Sequence, residues 1–329
     1  MNGDLGLTIG LNLREIYSAK KRISGVARRT PLVVSTALSK LTGSQVVLKA
    51  ENLQITGSFK LRGAINKILS LSEAQRRRGV LAVSTGNHGR AVSYVAREVG
   101  IPALVCVSGA VPQNKLQAMR DLGAEILVAG KTYDEAEVKA TEIVRERGLA
   151  MVHPFDDLLV IAGQGTIGVE LLEDFPEIDT AIVPLSGGGL ISGIAVALKA
   201  ANANIRIIGV SMERGPAMVE SLKAGRPVEV VEEPTLADAL AGGIGLENHY
   251  SFGLVQALVD DTVLVSEEDI ARAMAFALKE EHLVLEGGGA VGIAALLHQK
   301  VENPGKNVAV IMSGGNVSAD TLARIIENG

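Results

Sequence analysis

The 329-residue chain contains no tryptophan, only 3% aromatic residues and a single cysteine. With so few aromatic rings, the core has to be built from Val, Ile, Leu and Ala. One cysteine, Cys106, excludes an intramolecular disulfide and a cysteine-based zinc cluster. It lies in the apolar run Ala103-Leu104-Val105-Cys106-Val107, which reads as a buried strand thiol rather than a nucleophile. No apolar stretch reaches about 18 uncharged residues, so no transmembrane helix is predicted. The first dozen residues have no cationic start before an apolar run, so no signal peptide is expected and a cytoplasmic location is the default. Positive charge is not in excess: the formal charge is −5, which leaves no basic footprint for nucleic acid or an anionic membrane. No Gly-x-x-x-x-Gly-Lys-Ser/Thr run exists, which excludes a P-loop. The five histidines, His88, His153, His249, His282 and His298, show no ligand spacing on one helix face, so zinc chemistry has no support and no metal ligands are assigned.

What is present is a hydrophobic, moderately charged chain, 47% against 21%, as in a compact globule. Its length admits two domains on a prior of roughly 100–200 residues each. Short β-branched runs at 46–49, 80–84, 103–107, 125–128, 151–153, 181–184, 205–210, 262–265 and 308–312 alternate with amphipathic stretches. That alternation predicts an α/β protein with buried parallel strands. Apolar spacing predicts helices over 13–23, 115–122, 134–147 and 267–281, the last opened by Ser266 with Asp269 as a capping box. Three strands end in polar or glycine-rich clusters: Ser84-Thr85-Gly86-Asn87-His88, Ser186-Gly187-Gly188-Gly189-Leu190, and Ser313-Gly314-Gly315-Asn316. Ligands of open α/β sheets bind beyond the carboxyl ends of the strands, so the three clusters point to one cleft assembled from distant segments.

Each cluster has an ordinary and a chemical reading. Lys60, in Gly57-Ser58-Phe59-Lys60-Leu61-Arg62-Gly63-Ala64, is either a solvated lysine at a helix start or an amine whose apolar setting lowers its pKa for covalent chemistry. Three consecutive glycines before a helix exceed what a turn needs and can wrap a phosphate. Gly163-Gln164-Gly165-Thr166-Ile167-Gly168 and Gly287-Gly288-Gly289-Ala290-Val291-Gly292 match the dinucleotide fingerprint literally. Neither has a ribose-binding acid about 20 residues on, and Gly287 follows a helical segment, so both read as close-packing glycines and an NAD-binding oxidoreductase is the remote alternative. His88 reads as a loop-orienting residue rather than a general base. Ser313 is either a cap or a hydrogen-bond partner for a heteroaromatic nitrogen. A lysine, a phosphate loop and such a hydroxyl together are what pyridoxal phosphate requires.

At these residues the chain resembles the fold type II pyridoxal-phosphate enzymes, in the threonine and serine dehydratase and serine racemase branch, from about Ile16 to Ile325. Three segments, Ser84 to Arg90, Gly209 to Gly215 and Leu236-Ala237-Asp238, look most like the dehydratases named for hydroxyectoine utilisation. The resemblance implies that Lys60 carries the cofactor as a Schiff base and acts at Cα, with Ser58 and Ser84 as candidate hydroxyls on the cofactor's other face. It implies that Phe59 packs on the pyridine ring, Asn87 bonds the ring hydroxyl, Gly187, Gly188, Gly189 and Leu190 hold the phosphate, and Ser313 faces the ring nitrogen. Ser84, Thr85, Gly86 and His88 would hold the substrate carboxylate.

The implied reaction is loss of water from a β-hydroxy amino acid, giving a 2-oxo acid and ammonia, with serine or amino-acid racemisation and hydroxyaspartate elimination as alternatives. A neutral hydroxyl beside the ring nitrogen makes a weaker electron sink than a carboxylate would, which favours elimination over transamination. The family layout implies a small mobile domain over 79–154 inside a large domain formed by 1–78 and 155–329, and a homodimer. Three departures matter. Ser211 stands where relatives have a cation-binding glutamate, Glu137 falls about where serine racemase has an active-site arginine, and Glu286-Gly287 replaces the usual Glu-Pro. The chain ends soon after Ser313, so an isoleucine-responsive regulatory domain is not expected.

Overall fold

The computed structural model describes residues 10–84, 86–109, 113–130 and 133–328. Among the described residues, ten strands form two sheets. They are β1 (Leu32–Val34), β2 (Gln45–Lys49), β3 (Val80–Val83), β4 (Ala103–Val107), β5 (Glu125–Val128), β6 (Ala150–Met151), β7 (Thr180–Pro184), β8 (Arg206–Met212), β9 (Asp261–Val265) and β10 (Asn307–Ile311). The six-stranded sheet has the order β1-β2-β10-β7-β8-β9 and the four-stranded sheet the order β5-β4-β3-β6. Every pairing is parallel except β1 with β2, where Leu32 faces Lys49. The predicted strands are all present within a few residues. The run at 151–153 stops at Met151, before Pro154, which has no N–H to extend a ladder. β1 is the strand the sequence pattern did not announce.

The strands read as near-continuous apolar runs because both faces of each sheet are covered. In β7 the pleat sends Ala181 and Val183 to one core and Ile182 to the other; in β10 Ala309 and Ile311 part company with Val308 and Val310 in the same way. In the smaller sheet Val80 and Ala82 face one core, Leu81 and Val83 the other. The helices Leu13–Ile23, Leu158–Asp174, Gly189–Ala201 and Ser251–Leu258 cover one face of the large sheet, and Glu267–Lys279 with Gly287–Leu297 cover the other. Ser266 and Asp269 form the predicted capping box.

Both glycine runs that imitate a dinucleotide fingerprint are close-packing surfaces. Gly163, Gly165 and Gly168 lie in mid-helix in Leu158–Asp174. A Cβ at Gly163 would come within 2.6 Å of the Arg62 carbonyl oxygen, and one at Gly193 within 2.3 Å of the Ile161 carbonyl oxygen. These contacts are with backbone, which cannot step aside as a flexible side chain can. Gly193→Ala is therefore expected to separate the two helices and cost about 1–3 kcal/mol, read as a lower urea midpoint at unchanged slope.

Candidate active site

The carboxyl ends of β3, β7 and β10 open onto one cleft of 680 Å³ between the two sheets. Phe59, Lys60, Ser84, Gly86, Asn87, His88, Gly187, Gly188, Gly189, Leu190 and Ser313 all line it. Of the other residues singled out in the sequence, Ser58 is buried just behind, in a bridge to Gly314, and Thr85 lies outside the described residues.

Lys60 is the first residue of the helix Lys60–Ser70. Its Nζ donates to the Pro154 carbonyl at 2.8 Å and sits 5.1 Å from the centre of the Phe59 ring. Burial, which disfavours the ammonium, lowers its pKa to about 8, with the Glu286 charge opposing. About a tenth of the side chain is thus free amine at pH 7, against a few parts in ten thousand for an exposed lysine. The cofactor-free protein is expected to take up an aldehyde cofactor at a rate that climbs up to about pH 8 and levels above it. Stopped-flow absorbance on the apoprotein reads this directly.

The helix Gly189–Ala201 begins at Gly188, whose φ of +87° falls in the left-handed region, and no side chain caps it. Its first-turn N–H groups therefore point into the cleft, and their partial positive charge suits a phosphate. Phe155 packs beneath this loop: a Cβ at Gly187 would lie 2.3 Å from its ring, and one at Gly189 2.7 Å from its carbonyl oxygen. Asp156 accepts backbone N–H bonds from His249, Tyr250 and Ser251, and so anchors the helix Ser251–Leu258 that backs Gly188. The glycines are thus required by what already fills the space behind them.

A second uncapped helix start, Gly86 before Asn87–Glu98, opens on the same cleft, with the Gly86 N–H donating to Ser84 Oγ at 3.2 Å. His88 Nε2 meets the Val152 carbonyl at 2.7 Å, and burial together with the Lys60 charge lowers its pKa to about 3. His88 is therefore neutral and cannot act as a cationic carboxylate receptor. Ser313 Oγ donates to the Gly288 carbonyl at 3.3 Å.

Ser58 Oγ and Thr56 Oγ1, in the loop that leads to the lysine, are buried without a hydrogen-bond partner. Orphaned hydroxyls, two uncapped helix starts and an amine of lowered pKa around one cleft fit a heteroaromatic aldehyde phosphate.

The sequence alone assigns no role to Glu286 or Asn316. Glu286 accepts from Asn87 Nδ2 at 2.6 Å, and burial, with the Asp238 charge, raises its pKa to about 7. Glu137, offered as the counterpart of a racemase arginine, instead meets His153 at 3.2 Å. Ser211 is buried in β8 with its hydroxyl on the Met212 sulfur. Cys106 is a buried strand thiol, as expected, and burial raises its pKa. No helix among the described residues is long and apolar enough to cross a membrane.

Residues 23–314 match the family model of the pyridoxal-phosphate dependent enzymes. The chain is 46% identical over 319 residues to the L-threonine ammonia-lyase of Thermotoga maritima, covering 97% of this chain and 79% of that protein. It is 41% identical over 323 residues to a catabolic L-threonine dehydratase of Staphylococcus aureus, covering 97% and 93%. Among solved structures, maize serine racemase superposes with a TM-score of 0.90 at 34% identity, covering 96% of this chain and 97% of that one.

Proposed function

We propose, because this chain belongs to the pyridoxal-phosphate dependent enzyme family, that its cleft removes water from a β-hydroxy amino acid of the threonine and serine type, giving a 2-oxo acid and ammonia. The protein is a pyridoxal-phosphate dependent ammonia-lyase. The observation that carries the assignment is Lys60, an amine with its pKa lowered to about 8, set between two uncapped helix starts.

In this reading Lys60 would carry the cofactor, and Phe59 and Asn87 would contact its ring and ring oxygen. The amides of Gly187, Gly188, Gly189 and Leu190 would hold its phosphate, and Ser313 would serve its ring nitrogen. When bound, pyridoxal phosphate supplies an electron-withdrawing ring that stabilises the charge developing at Cα, moderately here because its nitrogen would meet a neutral hydroxyl. The chain's own groups do the rest. The helix start at Asn87, with Ser84, Thr85, Gly86 and His88, receives the substrate carboxylate, using amides and the helix dipole because His88 is uncharged. Lys60 Nζ, as a free amine of lowered pKa, would take the Cα proton. As an ammonium it is then the acid at hand for the departing β-hydroxyl. Of the two hydroxyls proposed for the opposite side, Ser84 lines the cleft, whereas Ser58 is buried behind it.

The same reading divides the chain into a part formed by 1–78 and 155–329 and a smaller part, 79–154, that closes over substrate and keeps water out. It also takes the protein to be a homodimer. The narrower kinship with dehydratases of hydroxyectoine utilisation rests on the three sequence segments alone.

The test is a panel of β-hydroxy amino acids, including threonine, serine and hydroxyaspartate, assayed for 2-oxo acid and ammonia with and without magnesium. A yellow, cofactor-loaded protein that forms 2-oxo acid from none of them would overturn the assignment. Racemisation is the second reading, favoured by the likeness to maize serine racemase. Chiral chromatography of recovered substrate separates it from elimination.

A further inference from the structure

Asn316 stands where the lysine loop, the strand end after β10 and the helix Asn87–Glu98 meet. Its Nδ2 donates to the Thr56 carbonyl at 2.9 Å and to Asn87 Oδ1 at 2.7 Å, and its Oδ1 accepts from Arg90 Nη1 at 2.8 Å. It also fills the space beside Gly57, where a Cβ would come within 2.4 Å of the Asn316 Oδ1. Gly57 has a φ of +76°, so the loop before Lys60 both requires a glycine and is bonded by this amide.

The two fixed ends of this chain of bonds allow one polarity only. A guanidinium can only donate and a carbonyl can only accept, so Asn316 must turn its oxygen to Arg90 and its nitrogen to Thr56. That nitrogen then meets the Asn87 oxygen, and Asn87 must turn its own Nδ2 toward Glu286, at 2.6 Å. Glu286 by itself would not fix this orientation. With a pKa of about 7 it is present at neutral pH both as an acceptor and as a donor, and could bond either end of the Asn87 amide. After one Nδ2 hydrogen goes to Glu286, the other is free for the cleft.

We propose that Asn316 is a positioning residue for the cofactor: through its amide it sets the orientation of Asn87, so that Asn87 presents an N–H, and not a carbonyl, to the ring oxygen of pyridoxal phosphate. This rests on the reading of Asn87 as the group that bonds that oxygen. Turned the other way, the Asn87 carbonyl would face an oxygen carrying negative charge. A charge-assisted bond would be replaced by repulsion, at an expected loss of about tenfold to a hundredfold in cofactor affinity.

The experiment titrates apoprotein with pyridoxal phosphate and follows the visible band, its dissociation constant and its midpoint on pH titration. It compares wild type, Asn87→Ala, Asn316→Asp and the double variant, with thermal melting as the check on folding. Asn316→Asp keeps an acceptor for Arg90 but has no donor for Asn87. Both single variants are expected to weaken binding by about tenfold or more and to move the band's pH midpoint in the same direction. The double variant should bind no more weakly than Asn87→Ala alone. Wild-type affinity and midpoint in Asn316→Asp would overturn the proposal, as would a double variant whose loss is the product of the two single losses. If Asn87→Ala itself binds and titrates as wild type does, the assignment of Asn87 fails, and the proposal falls with it. Should Asn316→Asp not fold, Asn316→Ala gives the same comparison without an added charge.

Discussion

Replacing Lys60 with alanine is expected to leave a folded protein with neither the visible absorbance of the lysine-bound cofactor nor measurable turnover, a loss of at least about 10³-fold. The size follows from two roles carried by one nitrogen. In the proposed mechanism Lys60 Nζ is both the attachment point for the cofactor and the base at Cα, and among the described residues no other amine or imidazole lining the cleft is free to take over either task. Lys115 also borders the cleft, but its Nζ is engaged by Asp238 at 2.5 Å. His88 is held neutral by burial and directed at a backbone carbonyl. The fold should survive, because Lys60 makes a single hydrogen bond and stands at the rim of the helix rather than in a packed core. Turnover retained by the variant would sink the mechanism.

The second large effect is on stability. Arg62, two residues beyond Lys60 on the same helix, is 1% exposed and bonds two buried carboxylates. Its Nε and Nη2 meet Glu51 at 2.9 and 2.8 Å, and its Nη1 and Nη2 meet Glu170 at 2.7 and 2.9 Å. Lys49, fully buried, completes the cluster on Glu170 at 2.6 Å. Two positive and two negative charges thus balance in the buried interior, tying the lysine helix to β2 and to the helix Leu158–Asp174. Arg62→Ala would leave two carboxylates facing a single lysine, at a cost of about 3–5 kcal/mol in a denaturant or thermal unfolding series. Its pH dependence has a definite sign. Burial would raise the pKa of Glu51, but the charge and hydrogen bonds of Arg62 outweigh this and hold it below the usual carboxylate value. A carboxylate depressed in the folded state stabilises at neutral pH, and the contribution is lost as pH falls through the folded-state value. The gap between wild type and Arg62→Ala should therefore narrow toward acid pH. A gap that stays constant would mean that lost packing, not charge, sets the cost.

Most of the architecture was legible because buried parallel strands announce themselves as short β-branched runs. β1 escaped: it has three residues, Val34 is 59% exposed, and it pairs antiparallel at the sheet edge, so it carries neither the length nor the burial pattern of its neighbours. The helix Leu158–Asp174 escaped for the opposite reason. It is buried along most of its length, so it shows no amphipathic period, and its glycines imitate a nucleotide loop.

In the site, Lys60, Asn87, the glycine loop and Ser313 were readable because each sits at the end of a recognisable strand or the start of a helix. Asn316 and Glu286 were not, because what matters in them is a contact 229 or 199 residues away along the chain. A signal did exist for Glu286: a lone carboxylate between Leu285 and three glycines, in surroundings too apolar to leave it solvated.

The central claim is that Lys60 holds pyridoxal phosphate at the carboxyl ends of the strands. Borohydride reduction of the purified, cofactor-loaded protein tests it most directly, with peptide mapping by mass spectrometry after digestion. The account predicts that the yellow colour is lost and that one cofactor mass is fixed per chain, on the peptide containing Lys60. An adduct on another lysine, or a colourless protein that gains no mass, would contradict it.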